Sequence, residues 1–121
     1  MQVSPNDMSV KSEKNMEQCI ADCFASFSAS TKCLSHCLEK GGKHAEKAHI
    51  QLMIECADMC KMSMGLMLAN SQFAYEHCQL CAKVCDLCAE SCAAHAHGDA
   101  VMADCVKACK KCAESCRSMS H

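Results

Sequence analysis

Residues 78–92 read CQLCAKVCDLCAESC, with cysteines at steps of three, four, three and four and no glycine or proline between them. Those steps are the period of one α-helix face, where neighbouring Cβ atoms lie about 5–6 Å apart. The stretch therefore builds a helix edged with thiols. Its opposite edge carries Glu76, Lys83 and Glu90, a solvated face.

The pattern recurs along the chain. An earlier segment holds Cys19, Cys23, Cys33 and Cys37, with Ser26 and Ser30 at the stripe positions between the two pairs. The next continues its stripe as His49, Met53, Cys56, Cys60, Ser63 and Met67. The last carries Cys105, Cys109, Cys112 and Cys116, extended by Met102 and Met119. The third and fourth segments also echo each other, CAESCAA at 88–94 against CAESCRS at 112–118.

Breaks fall between these segments. Ser4-Pro5 with Asp7 reads as an N-cap, a first-turn proline and an acidic third position, with Ser9 or Ser12 as later alternatives for the start. Gly41-Gly42 stops the first helix. A second spans about 44–69, Asn70-Ser71 breaks the chain with Ser71 as N-cap, and a third spans about 72–95. His97-Gly98-Asp99 turns into a fourth, capped by Asp99 and ending near 118. Four helices with short connections predict an all-α fold, an antiparallel up-down-up-down four-helix bundle with a Cys-lined core. The 121 residues suit a single domain over 1–121, in which residues 1–10 could be loose.

Composition agrees with a sulfur interior: 15 Cys and 10 Met stand against 3% aromatics and no Trp. A net charge of −2 with no basic run gives no reason to expect nucleic acid or an anionic membrane surface as partner. No stretch approaches the roughly 20 apolar residues of a membrane span, and the polar start MQVSPNDMSVKSEKNM has no signal-peptide core. The expected setting is the cytoplasm, where thiols stay reduced.

What the thiols do narrows by chemistry. A buried cysteine can be a small hydrophobe, but alanine would serve there without the oxidation risk. Disulfides leave one thiol over from an odd count. Pairs on a continuous helix also sit wider than the roughly 3.8 Å between Cβ atoms that a disulfide needs. A disulfide-linked helical hairpin, as in small mitochondrial import chaperones, would need a turn within FASFSASTK, which has neither Gly nor Pro. One structural zinc site takes four ligands, and iron–sulfur clusters use loop spacings absent here. Cu(I) is soft, favours thiolate and thioether, and accepts low coordination numbers. A thiol-lined lumen could hold multiple Cu(I) ions, with zinc or another soft metal as the alternative cargo. Loading would release protons, because unpaired thiolates are too costly to bury.

The stretch FAYEHCQLCAKVCDLCAESCAAHAHGDAVMADCVKACKKCAESCRSM, with the CxxxC pairs upstream, resembles the bacterial four-helix-bundle copper storage proteins over about Cys19 to Met119. The resemblance implies Cu(I) storage or buffering through Cys thiolates inside the bundle, in the manner of the cytosolic members. It implies that all fifteen cysteines named above are ligands and that a homo-oligomer is compatible with the chain. Ser26, Ser30 and Ser63 interrupt the thiol walls, so fewer ions are expected mid-lumen than in more Cys-rich relatives.

Up-down topology gathers His36, His44, His49, His95 and His97 at one end, with Met53 and Met102 just inside. Imidazole and thioether hold Cu(I) more weakly than thiolate, so this end is the expected door. His36, His49 and His95, on or beside the stripes, are the candidate histidine ligands, joined by Met53 and Met102; His44 and His97 read as exposed end residues. Met16, Met64, Met67 and Met119, with Phe73 nearby, mark the closed end. Phe73, Leu80, Val84 and Leu87 form a second apolar strip, read first as packing on a neighbouring helix and second as an oligomer interface. Catalysis is not expected: a di-iron bundle needs two Glu-x-x-His motifs and only Glu46–His49 fits, and nothing marks one cysteine as activated.

Overall fold

The structure, a computed structural model, describes residues 5–119, with side chains from residue 13 onward. It contains α1 (Pro5–Lys40), α2 (Lys47–Leu68), α3 (Ala74–Ala94) and α4 (Ala100–Ser118). A single 3-10 turn, Gly42–Ala45, precedes α2, and no strand occurs among the described residues. The expected Ser4 cap lies outside the described residues, as do residues 1–4 of the 1–10 stretch expected to be loose, while residues 5–10 belong to α1.

Each helix packs on two neighbours, α1 on α2 and α4, α3 on α2 and α4. Cross-helix contacts show that neighbours run antiparallel. Along α1 and α4 the partners are Cys19–Cys116, Cys33–Met102 and His36–Asp99. Along α2 and α3 they are His49–Ser91, Cys56–Cys85 and Cys60–Cys81. The up-down-up-down bundle follows.

The helix ends obey local chemistry. Gly41, at φ 70°, donates its N–H to Cys37 O and ends α1. Asn70, at φ 53°, ends α2, and Ser71 N–H reaches back to Leu66 O at 2.9 Å. Ser71 Oγ accepts from Phe73 N–H at 3.1 Å, so the predicted cap acts one turn before α3 itself begins. Asp99 caps α4 as expected, accepting from Val101 and Met102 N–H. The start of α2 is later than about 44, because two successive positive-φ glycines feed a 3-10 turn rather than a helix.

No large aliphatic side chain is fully buried among the described residues. The core is the fifteen cysteines with Met53, Met67, Met102 and a few alanines. Polar clasps tie the helices from outside. Asp22, 5% exposed, meets Ser115 Oγ and Gln18, with Lys111 at 3.8 Å. Arg117 pairs with Asp86 at 2.6 Å. The first expectation for the apolar strip fails: Phe73, Leu80 and Leu87 face solvent, and only Val84 packs against the core. Their outward phase on α3 is fixed by the cysteines, which take the inward one.

Candidate metal centre

Helical phase sends every cysteine inward. All fifteen side chains have 0% exposure and none is in a disulfide. The hairpin alternative falls with this, since α1 runs unbroken through residues 23–33. Sulfurs one turn apart on a helix stand at 3.9–4.0 Å, as in Cys81–Cys85 and Cys33–Cys37. Sulfurs across helices come as close, 3.6 Å for Cys19–Cys116 and Cys23–Cys112.

Five groups of thiols have all their sulfurs within 4.8 Å of one another. Toward the α3 N-terminus lie Cys23/Cys81/Cys112/Cys116, Cys60/Cys81/Cys85/Cys112 and Cys19/Cys78/Cys116. Toward the histidines lie Cys56/Cys88/Cys109 and Cys33/Cys92/Cys105. Metal–thiolate bonds of about 2.3 Å span such separations. Three of the groups have three thiols, one short of a closed tetrahedral zinc site but sufficient for a soft monovalent ion.

Ionisation is governed by crowding. In a group, the first thiolate gains hydrogen bonds from its neighbours: Cys81 is held below the usual thiol range by Cys112 first, then Cys116. Cys19, Cys56 and Cys105 are held low in the same way, and other thiols are pushed up. Cys85 rises through its contacts with Cys112 and Cys56, Cys88 through Cys105 and Cys109, and Cys37 chiefly through burial. The metal-free lumen therefore stays largely protonated, and a cation is needed to discharge the rest.

The histidine end is compact. His49, 3% exposed, sets Nε2 at 3.4 Å from Cys37 Sγ and Nδ1 at 2.6 Å from Ser91 Oγ. His95 stacks on His49 with centroids 4.4 Å apart. Burial, followed by the neighbouring His95 and His44, lowers the His49 pKa and keeps the ring neutral, the form that ligates metals. Met102 Sδ accepts from Cys33 and Cys37 at 3.3 Å each. Met53 is fully buried one turn inside His49.

His36 does not join this cluster. Its Nε2 lies 2.7 Å from Asp99 Oδ2, and the ring lines a groove on the outside of α1 and α4 beside Phe24 and Val101. One residue away from Cys37, it turns off the inward face. His44, read from sequence as exposed, instead places Nδ1 at 3.8 Å from Cys37 Sγ. It sits in the 3-10 turn, so helical periodicity could not find it. His77 was also missed: its Nδ1 meets the buried Ser63 Oγ at 2.8 Å, opposite the histidine end. The signal was Ser63 itself, a polar residue on an inward stripe that needed a partner.

A four-helix bundle lined with free thiols in groups of three and four defines a soft-metal-binding protein. Known proteins refine this. The family described as copper storage protein matches residues 12–121. The cysteine-rich protein YhjQ of Bacillus subtilis is 41% identical over 85 residues, covering 70% of this chain and 79% of its own. Copper storage protein 3 of B. subtilis, solved with Cu(I) bound, is 38% identical with a TM-score of 0.81 over 88% of this chain and 99% of its own. A cytosolic copper storage protein of Streptomyces lividans, solved with five coppers, is 27% identical with a TM-score of 0.75 over 89% of this chain and 93% of its own. The chain belongs to the copper storage protein family.

Proposed function

We propose that this chain, acting as a single metal-binding domain, stores and buffers copper by holding many Cu(I) ions on thiolates inside its bundle. The observation that carries the reading is the set of five thiol groups, all buried in one lumen. The fifteen cysteines are the ligands. His49, His44 and His95 with Met53 and Met102 form the approach, passing ions from weaker imidazole and thioether to stronger thiolate. His36 is left out, because Asp99 occupies its Nε2.

Each ion that enters replaces thiol protons, so the charge of the filled lumen stays compensated. The role is storage rather than catalysis. The cytoplasm is the proposed setting: the S. lividans relative is described as cytosolic, and no helix among the described residues is long and apolar enough to cross a membrane. Phe73, Leu80 and Leu87 form an exposed strip suited to a homo-oligomer. Leu80→Glu should lower the mass in solution; an unchanged mass would dismiss that interface.

The deciding experiment is anaerobic titration of the reduced protein with Cu(I) against a competing chelator, with a parallel zinc arm. Many equivalents of Cu(I) held against the chelator are expected. Saturation at one or two ions, or zinc held in equal number and more tightly, would reject storage of copper.

A further inference from the structure

The lumen is not uniform along its length. Beyond its middle, away from the histidines, the three thiol groups are fused: two share Cys81 and Cys112, and Cys116 joins the third. Toward the histidines the two groups have no cysteine in common and touch through Cys105–Cys109 at 3.9 Å. The change coincides with Ser26 and Ser30, where α1 presents hydroxyls in place of thiols. Both are fully buried. Ser26 donates to Cys109 at 3.5 Å and Ser30 donates to Cys56 at 3.6 Å. Both hydroxyls thus donate to one group, Cys56/Cys88/Cys109, which draws its thiols from α2, α3 and α4 alone, and Ser30 also lies 3.9 Å from Cys105.

A hydroxyl oxygen is a hard, neutral donor and a poor ligand for Cu(I), whereas it hydrogen-bonds well to a thiolate. The serines can steady the charge of a three-thiolate site but cannot bridge it to the next ion. The thiol–thiol hydrogen bonds that cross from this group to the fused half start from Cys56, which meets Cys85 at 3.7 Å and Cys60 one turn along α2. Ser26 stands beside that crossing, 3.7 Å from Cys56 and 3.9 Å from Cys85.

We propose that Ser26 and Ser30 form a waist that divides the stored copper into two pools: a retained pool on the shared thiols, and an exchangeable pool in the separate groups beside the histidines. Cys56, through Cys85 and Cys60, is the sulfur step between them. The proposal rests on the copper storage reading and adds to it an order of release. The exchangeable pool leaves first, because its ions have fewer bridging thiolates and lie next to weaker ligands. The retained pool drains through Cys56.

The test loads the full-length protein with Cu(I) anaerobically, reads the stoichiometry, and then follows removal by excess chelator. The wild-type protein is expected to release copper in two phases, with rates at least about tenfold apart, the scale on which groups around metal ligands tune affinity. S26C/S30C completes the α1 wall and should merge the phases and raise the capacity. S26A/S30A removes the hydroxyls without adding ligands and should keep two phases. Cys56→Ser should slow the second phase further. Single-phase release from the wild type, or two unaltered phases in S26C/S30C, would overturn the two pools while leaving storage intact. A wild-type stoichiometry of one or two ions would overturn both.

Discussion

The half of the lumen around Cys81 and the half around Cys33 use one ligand chemistry with different connectivity. In the first half Cys81, Cys112 and Cys116 each serve two groups, and all four helices supply sulfur. Around Cys33 the groups share no thiol, and the rest of the wall is serine hydroxyl, Met102 thioether and His49 imidazole. Capacity is favoured where thiols are shared, because a bridging thiolate binds two soft ions for one buried negative charge. Exchange is favoured where ligands are mixed, because a weaker donor can let an ion go. The contrast shows how a storage protein can retain and release from one cavity by varying a few positions on α1 and at one end.

The largest effect expected from this contrast is on capacity. C81S/C112S removes thiols shared by two groups each and should cost more bound Cu(I) than C33S/C92S, which touches a single group. Anaerobic titration of the two double variants checks this, and equal losses would erase the distinction between the halves. Next in size is stabilisation by copper. A site exposed to free Cu(I) at 100 times its Kd gains about 2.7 kcal/mol. Calorimetry during stepwise loading should therefore show the unfolding temperature climbing in increments. The same scan on S26C/S30C should show a smoother climb.

His49→Ala should slow loading about tenfold while changing the final stoichiometry by no more than one ion. Stopped-flow uptake measures the first and titration the second. An unchanged rate would move the door away from the histidines, with the Ser63–His77 end as the place to look.

The metal-free protein should lose stability as pH rises above about 9, the ordinary thiol value. The sign follows from Cys85, Cys88 and Cys37, whose folded values are raised. The folded lumen keeps protons that the unfolded chain gives up, so alkali favours unfolding. Chemical denaturation at about the ordinary thiol value and well above it checks the direction, because thiols held low, such as Cys81, act in the opposite sense only below it. The copper-loaded protein, with its thiols already deprotonated, should lack this dependence. The smallest effect belongs to Asp99→Ala, which removes the α4 cap and should cost about 1 kcal/mol of stability. It also frees His36 and loosens the histidine half alone.

Much of this was legible in the chain. The inward phase of every cysteine, the order of the helices, the Asp99 cap and the stops at Gly41 and Asn70 all follow from local rules acting within one helix or one turn. Those rules also placed Met53 and Met102 inside. They gave less where one residue of phase or an irregular turn decided the outcome: His36, read as a ligand, turns onto Asp99, and His44, read as an exposed end residue, lies 3.8 Å from Cys37. Asp22 gave no sign of its burial, because its partners Ser115 and Lys111 come from α4.

The period of the α-helix is a property of the backbone, so the sequence by itself determined which face of each helix would carry sulfur. Only the tertiary structure decided which thiols meet. The vertical register of one helix against another is set by interhelical packing and by the geometry of three short turns, and none of these is encoded in the spacing of cysteines along a single helix. A shift of one turn would keep every sulfur inside and still change which cysteines are shared, and with them where copper is held and where it passes.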